Sequence, residues 1–303
     1  MALVAIDWGS TRFRAYRVEA GAVVDRIETA HGVLTTPPAA LAGALAEELE
    51  PWRAWIERGR VPLRMAGMIG SNRGLRDAGY QRVPIDLDAL ASDEARVEVA
   101  TPLATSATIR KGLALADGDA FDVMRGEEVQ LLGAHRLRPA DLYVFPGTHS
   151  KWVPVEETAG RARVRTFSTM MTGELYAWLV EGSAICKGVP ETPAWSDEAF
   201  ARGVERASRG GDVIEELFRT RARWLLGDLA PAAAPSFLSG LLIGHEVATM
   251  TKRYRAGGPL VVVGAERLCG LYLTALRQLA LEAAVVPDDA AIVEGMGRVN
   301  DDV

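Results

Sequence analysis

Two stretches of this 303-residue chain repeat one pattern, and that repeat limits the fold more than any other feature. The first is an apolar run Leu3 to Ile6, the turn Trp8-Gly9-Ser10-Thr11, a strand-like run Phe13 to Glu19, a turn at Gly21 and a third run Ala22 to Thr29. The second is Leu142 to Phe145, the turn Pro146-Gly147-Thr148-His149-Ser150, Lys151 to Val155 and, around Gly160, Arg163 to Phe167. Short connections make such strands antiparallel hairpins. A pattern met twice in one chain marks a duplicated unit. The expectation is an α/β protein of two domains, residues 1–138 and 139–303, each with a core of its own.

Between and after the hairpins the period changes from strand to helix. Leu41, Leu45, Leu49, Trp52 and Ile56 recur at helical spacing and predict one amphipathic helix that Gly59 stops. Leu63 to Met68 reads as a further strand. Gly70 to Pro84 is rich in Gly, Arg, Asn and Asp without a clean period, as in a flexible or functional loop. Helices are expected near Thr172 to Val180, Asp212 to Leu226, Ser236 to Tyr254 and Glu266 to Leu281, with a strand at Leu260 to Val263. Asp212 and Glu215 have the spacing of a capping pair, and Gly240 with Gly244 leaves a small helix face for close packing.

Composition narrows the partners. The formal charge of −6 and the interspersed arginines provide no basic field for nucleic acid, which leaves a small molecule as the expected partner. No apolar run is long enough for a membrane span, and Met1 to Ile6, without a basic flank, reads as a buried strand rather than a signal peptide. Cys186 and Cys269 lack any metal or redox spacing and are expected as buried apolar side chains in a reducing cytoplasm. His31, His135 and His245 have no metal-binding partner spacing either.

The turns themselves carry the chemistry. A strand that ends in Asp7 and turns through Gly9, Ser10 and Thr11 can offer N–H groups and hydroxyls to phosphate oxygens while the carboxylate faces Mg2+. An ordinary hairpin turn has the same composition. The repeat favours the phosphate reading, because Gly147, Thr148 and Ser150 offer a second set of donors and two such hairpins can grip a polyphosphate from both sides of a cleft. Of Arg12 and Arg14, both on the strand after the turn, one is expected to reach phosphate.

These motifs resemble the sugar-kinase branch of the actin, hexokinase and heat-shock ATPase superfamily. Asp7-x-Gly-Ser-Thr is similar to its first phosphate motif, and Pro146 to Trp152 to its second. Taken with Gly67-Met68-Ile69-Gly70-Ser71-Asn72, Met124 to Gly133, Met171 to Leu175 and Leu238 to Gly244, the chain resembles the 2-dehydro-3-deoxygalactonokinase family along nearly its whole length. That resemblance implies a two-domain actin-like, ribonuclease H-like fold built on a duplicated βββαβα unit with a cleft between the domains. It also implies ATP and Mg2+, and transfer of a phosphoryl group to the terminal hydroxyl of a six-carbon 2-oxo-3-deoxy sugar acid. Arg125-Gly126-Glu127-Glu128 lies where glycerol-kinase-like relatives carry Gly-Asp-Gln-Gln, so Glu127 matches the general base, with Glu128 its rival. Gly264-Ala265 stands where many relatives have Gly-Gly against the adenosine.

A sugar acid needs a cation or N–H donors for its carboxylate, so Ser71, Asn72 and Arg73 in the loop, and Lys151 after the second turn, are the substrate candidates. Trp8, Tyr80 and Tyr176 are aromatics that either wall the sugar or belong to the core. Two rival functions stay open, a kinase of this fold with another acceptor and a nucleotide-driven sensor that phosphorylates nothing; so does a homodimer.

Overall fold

Leu3 to Trp8 are buried without a break, so the first strand, Ala2–Trp8, is covered on both faces as an interior strand is. It pairs antiparallel with Phe13–Glu19, which pairs antiparallel with Ala22–Thr29. On its other side it pairs parallel with Leu63–Ala66, which continues in parallel to Ala107–Arg110, and Arg96–Val99 closes the edge. A second sheet repeats this plan. Its order is Ser168–Met170, Ser150–Pro154, Leu142–Phe145, Leu260–Gly264, Ala284–Pro287, with antiparallel pairs first and parallel pairs after. The duplication that the hairpins announce therefore extends to five strands of each sheet in order and direction.

This computed structural model describes residues 2–190 and 193–297. The chain forms two compact units. The first takes Met1–Pro139, Val155–Phe167 and Asp288–Val303; the second takes Ala140–Pro154 and Ser168–Pro287. A single cut after residue 138 thus misses two returning segments. Arg161–Val164 is not the third strand of the second repeat, a place taken by Ser168–Met170. It forms a hairpin with Glu156–Thr158 and joins Ile85–Asp86 in a small sheet of the first unit, where Arg163 Nε donates to Asp86 Oδ1 at 2.6 Å. Strand periodicity describes a strand's faces but not which sheet it enters.

The other returning segment is the helix Asp288–Gly297, absent from the sequence reading. It packs along the helix Glu127–Leu137 with almost no side chain between them. A Cβ on Gly133 would lie 1.9 Å from the carbonyl oxygen of Ala291, and one on Gly295 would lie 2.1 Å from that of Val129. The last carbonyls of the returning helix are met by the buried Arg64, whose Nη1 donates to Met296 O at 2.6 Å.

The expected single helix over Leu41 to Gly59 is two, Leu41–Glu48 and Arg53–Gly59, because Pro51 has no N–H to continue the first. The apolar spacing is nevertheless honoured, since Leu41, Leu45, Leu49, Trp52 and Ile56 are all in the core beside Val4, Ile6 and Trp8. In the second unit Asp212 caps the helix Val213–Leu225, accepting from Ile214 N at 2.8 Å and Glu215 N at 3.2 Å. Gly240 lets the helix Ala234–Arg253 press on Asp197–Ser208, a helix that sequence periodicity did not bring out: a Cβ at Gly240 would sit 2.0 Å from Phe200 O. Cys186 and Cys269 are buried and free.

Candidate active site

In the first unit, three elements meet at Asp7. The strand Ala2–Trp8 delivers its carboxylate at the strand's end. Leu63–Ala66, its parallel neighbour, ends beside it and turns at Gly67, whose φ of 91° suits glycine. The turn passes so close that a Cβ on Gly67 would fall 3.1 Å from Asp7 Oδ1 and 2.7 Å from Trp8 O. The third element is the start of the helix Glu127–Leu137, where Gly126 lies over Gly67. The Gly9-Ser10-Thr11 turn that follows Asp7, the Gly67 turn and the acid-bearing helix start, far apart in sequence, thus converge on one carboxylate.

The charges around Asp7 are set by that convergence. Asp7 and Arg14 are cross-strand partners, and Arg14 Nη2 donates to Asp7 Oδ2 at 2.5 Å while its other arm pairs with Asp288 at the head of the returning helix. Burial pushes the Asp7 carboxyl above the usual carboxylate range, Arg14 opposes that rise, and the nearby Glu127 and Asp288 charges add to it. Arg12, by contrast, points outward to Glu28. Of the two arginines, Arg14 belongs to the site.

Glu127 and Glu128 are separated by their surroundings. Glu127 is half-buried at the first position of its helix and accepts from Arg125 N at 3.0 Å. Glu128 is 2% exposed, accepts from Gly126 N at 2.6 Å, and is pushed up to about 8 by burial and then by the charge of Glu127. Of the two carboxyls, Glu128 is enclosed in the core and Glu127 is the more open one.

The turn Gly9-Ser10-Thr11 is strapped from behind: Val33 N donates to Gly9 O at 3.0 Å and Leu34 N to Ser10 O at 3.1 Å. Thr11 is exposed and Gly9 and Ser10 are half-buried, so the outer side of the turn is open to a ligand. Trp8 is core, fully buried with Nε1 donating to His31 O at 2.7 Å. In the loop, Asn72 and Arg73 are exposed, whereas Ser71 is buried and its hydroxyl closes the loop on Met68 O at 2.8 Å. Ser71 therefore shapes the loop instead of presenting a hydroxyl. Tyr80 is stacked by Arg125, 4.4 Å from the ring centroid, and Arg125 Nη2 also holds Gly79 O at 3.2 Å, tying the end of the loop that starts at Gly67 to the start of the Glu127 helix.

In the second unit the hairpin after Leu142–Phe145 exposes Thr148 and leaves Gly147 half-buried. Thr148 O accepts from Glu174 N at 3.0 Å, and His149 Nε2 meets Glu174 Oε2 at 2.5 Å, so the turn is braced by the helix Thr172–Gly182. Ser150 departs from its expected role as a phosphate donor. It is fully buried, with Oγ donating to Glu246 Oε1 at 2.7 Å. Lys151 is buried as well, its Nζ donating to His149 O at 2.8 Å. Both follow from strand alternation inside a sheet covered on both faces. Gly264 ends its strand beside Pro146 of the same hairpin, and Ala265 caps the helix Glu266–Gln278 at the surface. A Cβ on Gly264 would meet nothing closer than 3.6 Å, so this corner does not demand glycine.

The sequence pattern of the 2-keto-3-deoxy-galactonokinase family matches residues 7–299. The 2-dehydro-3-deoxygalactonokinase of Escherichia coli K12 is 35% identical over 296 residues, 98% of this chain and 96% of that one. This chain belongs to that family. The kinase also superposes on the crystal structure of a Sinorhizobium meliloti protein assigned the same activity, with a TM-score of 0.85 at 33% identity over 97% of this chain and 94% of that one. A more distant likeness, to the activator of the 2-hydroxyisocaproyl-CoA dehydratase from Clostridium difficile with bound ADPNP, has a TM-score of 0.51 at 12% identity and covers 98% and 93% of the two chains. It speaks to the fold alone, which is actin-like.

Four side chains of this kinase escaped or were undervalued by sequence reasoning: Arg14, Arg125, Asp288 and Glu246. Glu246 is fully buried in the helix Ala234–Arg253 and gathers the second hairpin beneath it, accepting from Ser150, from Trp152 Nε1 at 2.6 Å, from Tyr272 Oη at 2.9 Å and from Thr172. A lone acid in an apolar helix was its only signal. Glu246→Gln keeps the shape but turns an amide N–H2 toward some of these donors, so stability should fall by about 1–2 kcal/mol. Urea unfolding measures this, and an unchanged midpoint would remove Glu246 as the anchor of the hairpin.

Proposed function

We propose that this kinase transfers the γ-phosphoryl group of ATP to the terminal 6-hydroxyl of 2-dehydro-3-deoxygalactonate, giving the 6-phosphate and ADP, in galactonate catabolism. The observation that carries this reading is the meeting of Asp7, the Gly67 turn and the Glu127 helix start at one point of the first unit. Phosphate binding, acceptor binding and proton acceptance need to be adjacent for phosphoryl transfer and need not be so in a nucleotide sensor.

In this mechanism Glu127 accepts the proton of the acceptor hydroxyl, worth roughly 10²- to 10⁴-fold in rate. Gly9, Ser10 and Thr11 in the first unit and Gly147 and Thr148 in the second bind the phosphates; Gly264 and Ala265 contact the adenosine. Asn72 and Arg73 meet the sugar acid, whereas the buried Ser71, Ser150 and Lys151 act by shaping the loop and hairpin. Mg2+ fits Asp7: a single carboxylate, braced by Arg14, is what an ion held through water and shared with nucleotide phosphates requires. When bound, it neutralises phosphate charge. Among the described residues no helix is long and apolar enough to cross a membrane.

A coupled ADP-release assay across 2-oxo-3-deoxy sugar acids, gluconate and pentuloses tests the reading. The galactonate derivative should give the highest kcat/KM, and ATP hydrolysis indifferent to every acceptor would refute a kinase role. Arg73→Ala should raise KM for the sugar acid while leaving KM for ATP within about twofold, since a bidentate guanidinium orients a carboxylate it contacts. Equal shifts in both constants would take Arg73 off the substrate.

A further inference from the structure

Asp288 is the first residue of the returning helix Asp288–Gly297, where the chain re-enters the first unit. Its two carboxylate oxygens serve different partners. Oδ1 accepts from Asp289 N at 3.1 Å, and Oδ2 pairs with Arg14 Nη1. The Arg14 guanidinium is therefore held at both ends, Nη2 on Asp7 and Nη1 on Asp288, and all three side chains are largely shielded from water. The next acid, Asp289, bonds its own helix instead, accepting from Ala290 N at 2.7 Å.

Two carboxylates on one guanidinium divide its charge between them. With both acids ionised, the row of Asp7, Arg14 and Asp288 carries one net negative charge; without Asp288 it is neutral. The freed Nη1 would then turn to the carboxylate that remains, and a bidentate pair of Arg14 with Asp7 is the strong form of this contact. Any cation drawn to Asp7 would have to compete with that pair. Among the described residues no three acids, histidines or cysteines stand close enough to hold an ion directly, so the pull of Asp7 on one depends on the charges behind it. We propose that Asp288 is a positioning residue for the metal: by holding the far arm of Arg14 it keeps the Asp7 carboxylate available to the Mg2+ that accompanies the nucleotide. This role rests on Asp7 being the Mg2+ contact.

Titration of the full chain with Mn2+ at saturating ADP, read by electron paramagnetic resonance of the bound ion, tests this without turnover. Asp288→Asn keeps an acceptor for Asp289 N and removes the charge, so Mn2+ affinity should fall about tenfold or more. Asp288→Glu keeps the charge and should stay within about threefold of wild type. So should Asp289→Asn, which takes an acid from the same helix start but not from Arg14. In the ADP-release assay the Mg2+ activation constant of Asp288→Asn should rise by the same factor as its Mn2+ affinity falls, while KM for the sugar acid does not follow. Circular dichroism checks the fold of each variant, and Asp288→Ser repeats the measurement with a smaller side chain if Asn disturbs the helix. Native Mn2+ affinity in Asp288→Asn overturns the proposal, and so does an equal loss in Asp289→Asn, which would make the effect one of general charge. Asp7→Asn separates the two levels. If it binds Mn2+ as wild type does, Asp7 is not the metal contact and Asp288 has none to position; if it binds weakly while Asp288→Asn binds normally, Asp288 alone loses its role.

Discussion

Glu127→Gln should lower kcat by roughly two orders of magnitude or more, with KM for ATP nearly unchanged. The substitution keeps the volume and one acceptor oxygen, so Arg125 N can still be bonded, and it removes only the basicity. Glu128→Gln is the informative control. Its carboxyl is already protonated below about pH 8, so an amide there resembles the native state and kcat should change far less. The same group affects stability with a definite sign. Its folded pKa lies above the ordinary carboxyl value, so the native chain holds a proton that the unfolded chain releases, and stability falls as pH rises toward 8. Glu128→Gln should therefore gain on wild type in thermal scans as pH is raised over that range. A crippled Glu128→Gln beside a fully active Glu127→Gln would move the base to the buried residue.

Asp7→Ala should abolish turnover at any Mg2+ concentration while leaving the fold in place. The tolerance of the fold follows from the geometry. Arg14 loses one carboxylate but keeps Asp288, so no guanidinium is left uncompensated. Loss of Asp7 also relieves the burial of a charge that desolvation already disfavours. Steady-state assays across a magnesium titration, with circular dichroism on the same samples, read both parts. Activity near that of wild type at saturating Mg2+ would remove Asp7 from the chemistry, and a molten variant would mean that its role is structural.

What could be read in advance divides along a physical line. The two hairpins, the apolar spacing of Leu41 to Ile56, the Asp212 cap and the small faces at Gly240 and Gly244 are local features, and each is present. Pro51 was also visible and splits a helix whose period runs through it, because the apolar spacing survives a break in the backbone ladder. Arg161–Val164 was legible as a strand but not as a member of the other unit's sheet, since a strand's own residues do not name its neighbour. The site divides in the same way. Asp7, Gly9, Thr11 and Glu127 stood out by motif, whereas Ser71, Ser150 and Lys151 carry polar groups whose direction depends on which face of a covered element they occupy.

From the residues alone came the duplicated unit, the family likeness and the singling out of Asp7 and Glu127, because turn chemistry and strand period act over a few neighbouring positions. Only the tertiary structure decided that Asp288, nearly three hundred positions from Asp7, supplies the second partner of Arg14. It likewise decided that Glu128 is enclosed while Glu127 is not, and that Glu246 holds the second hairpin from below. Those outcomes depend on burial and on long-range packing through Gly133 and Gly295, where two backbones approach too closely for any side chain. Desolvation and contact are properties of the assembled core, and no local run of sequence contains them.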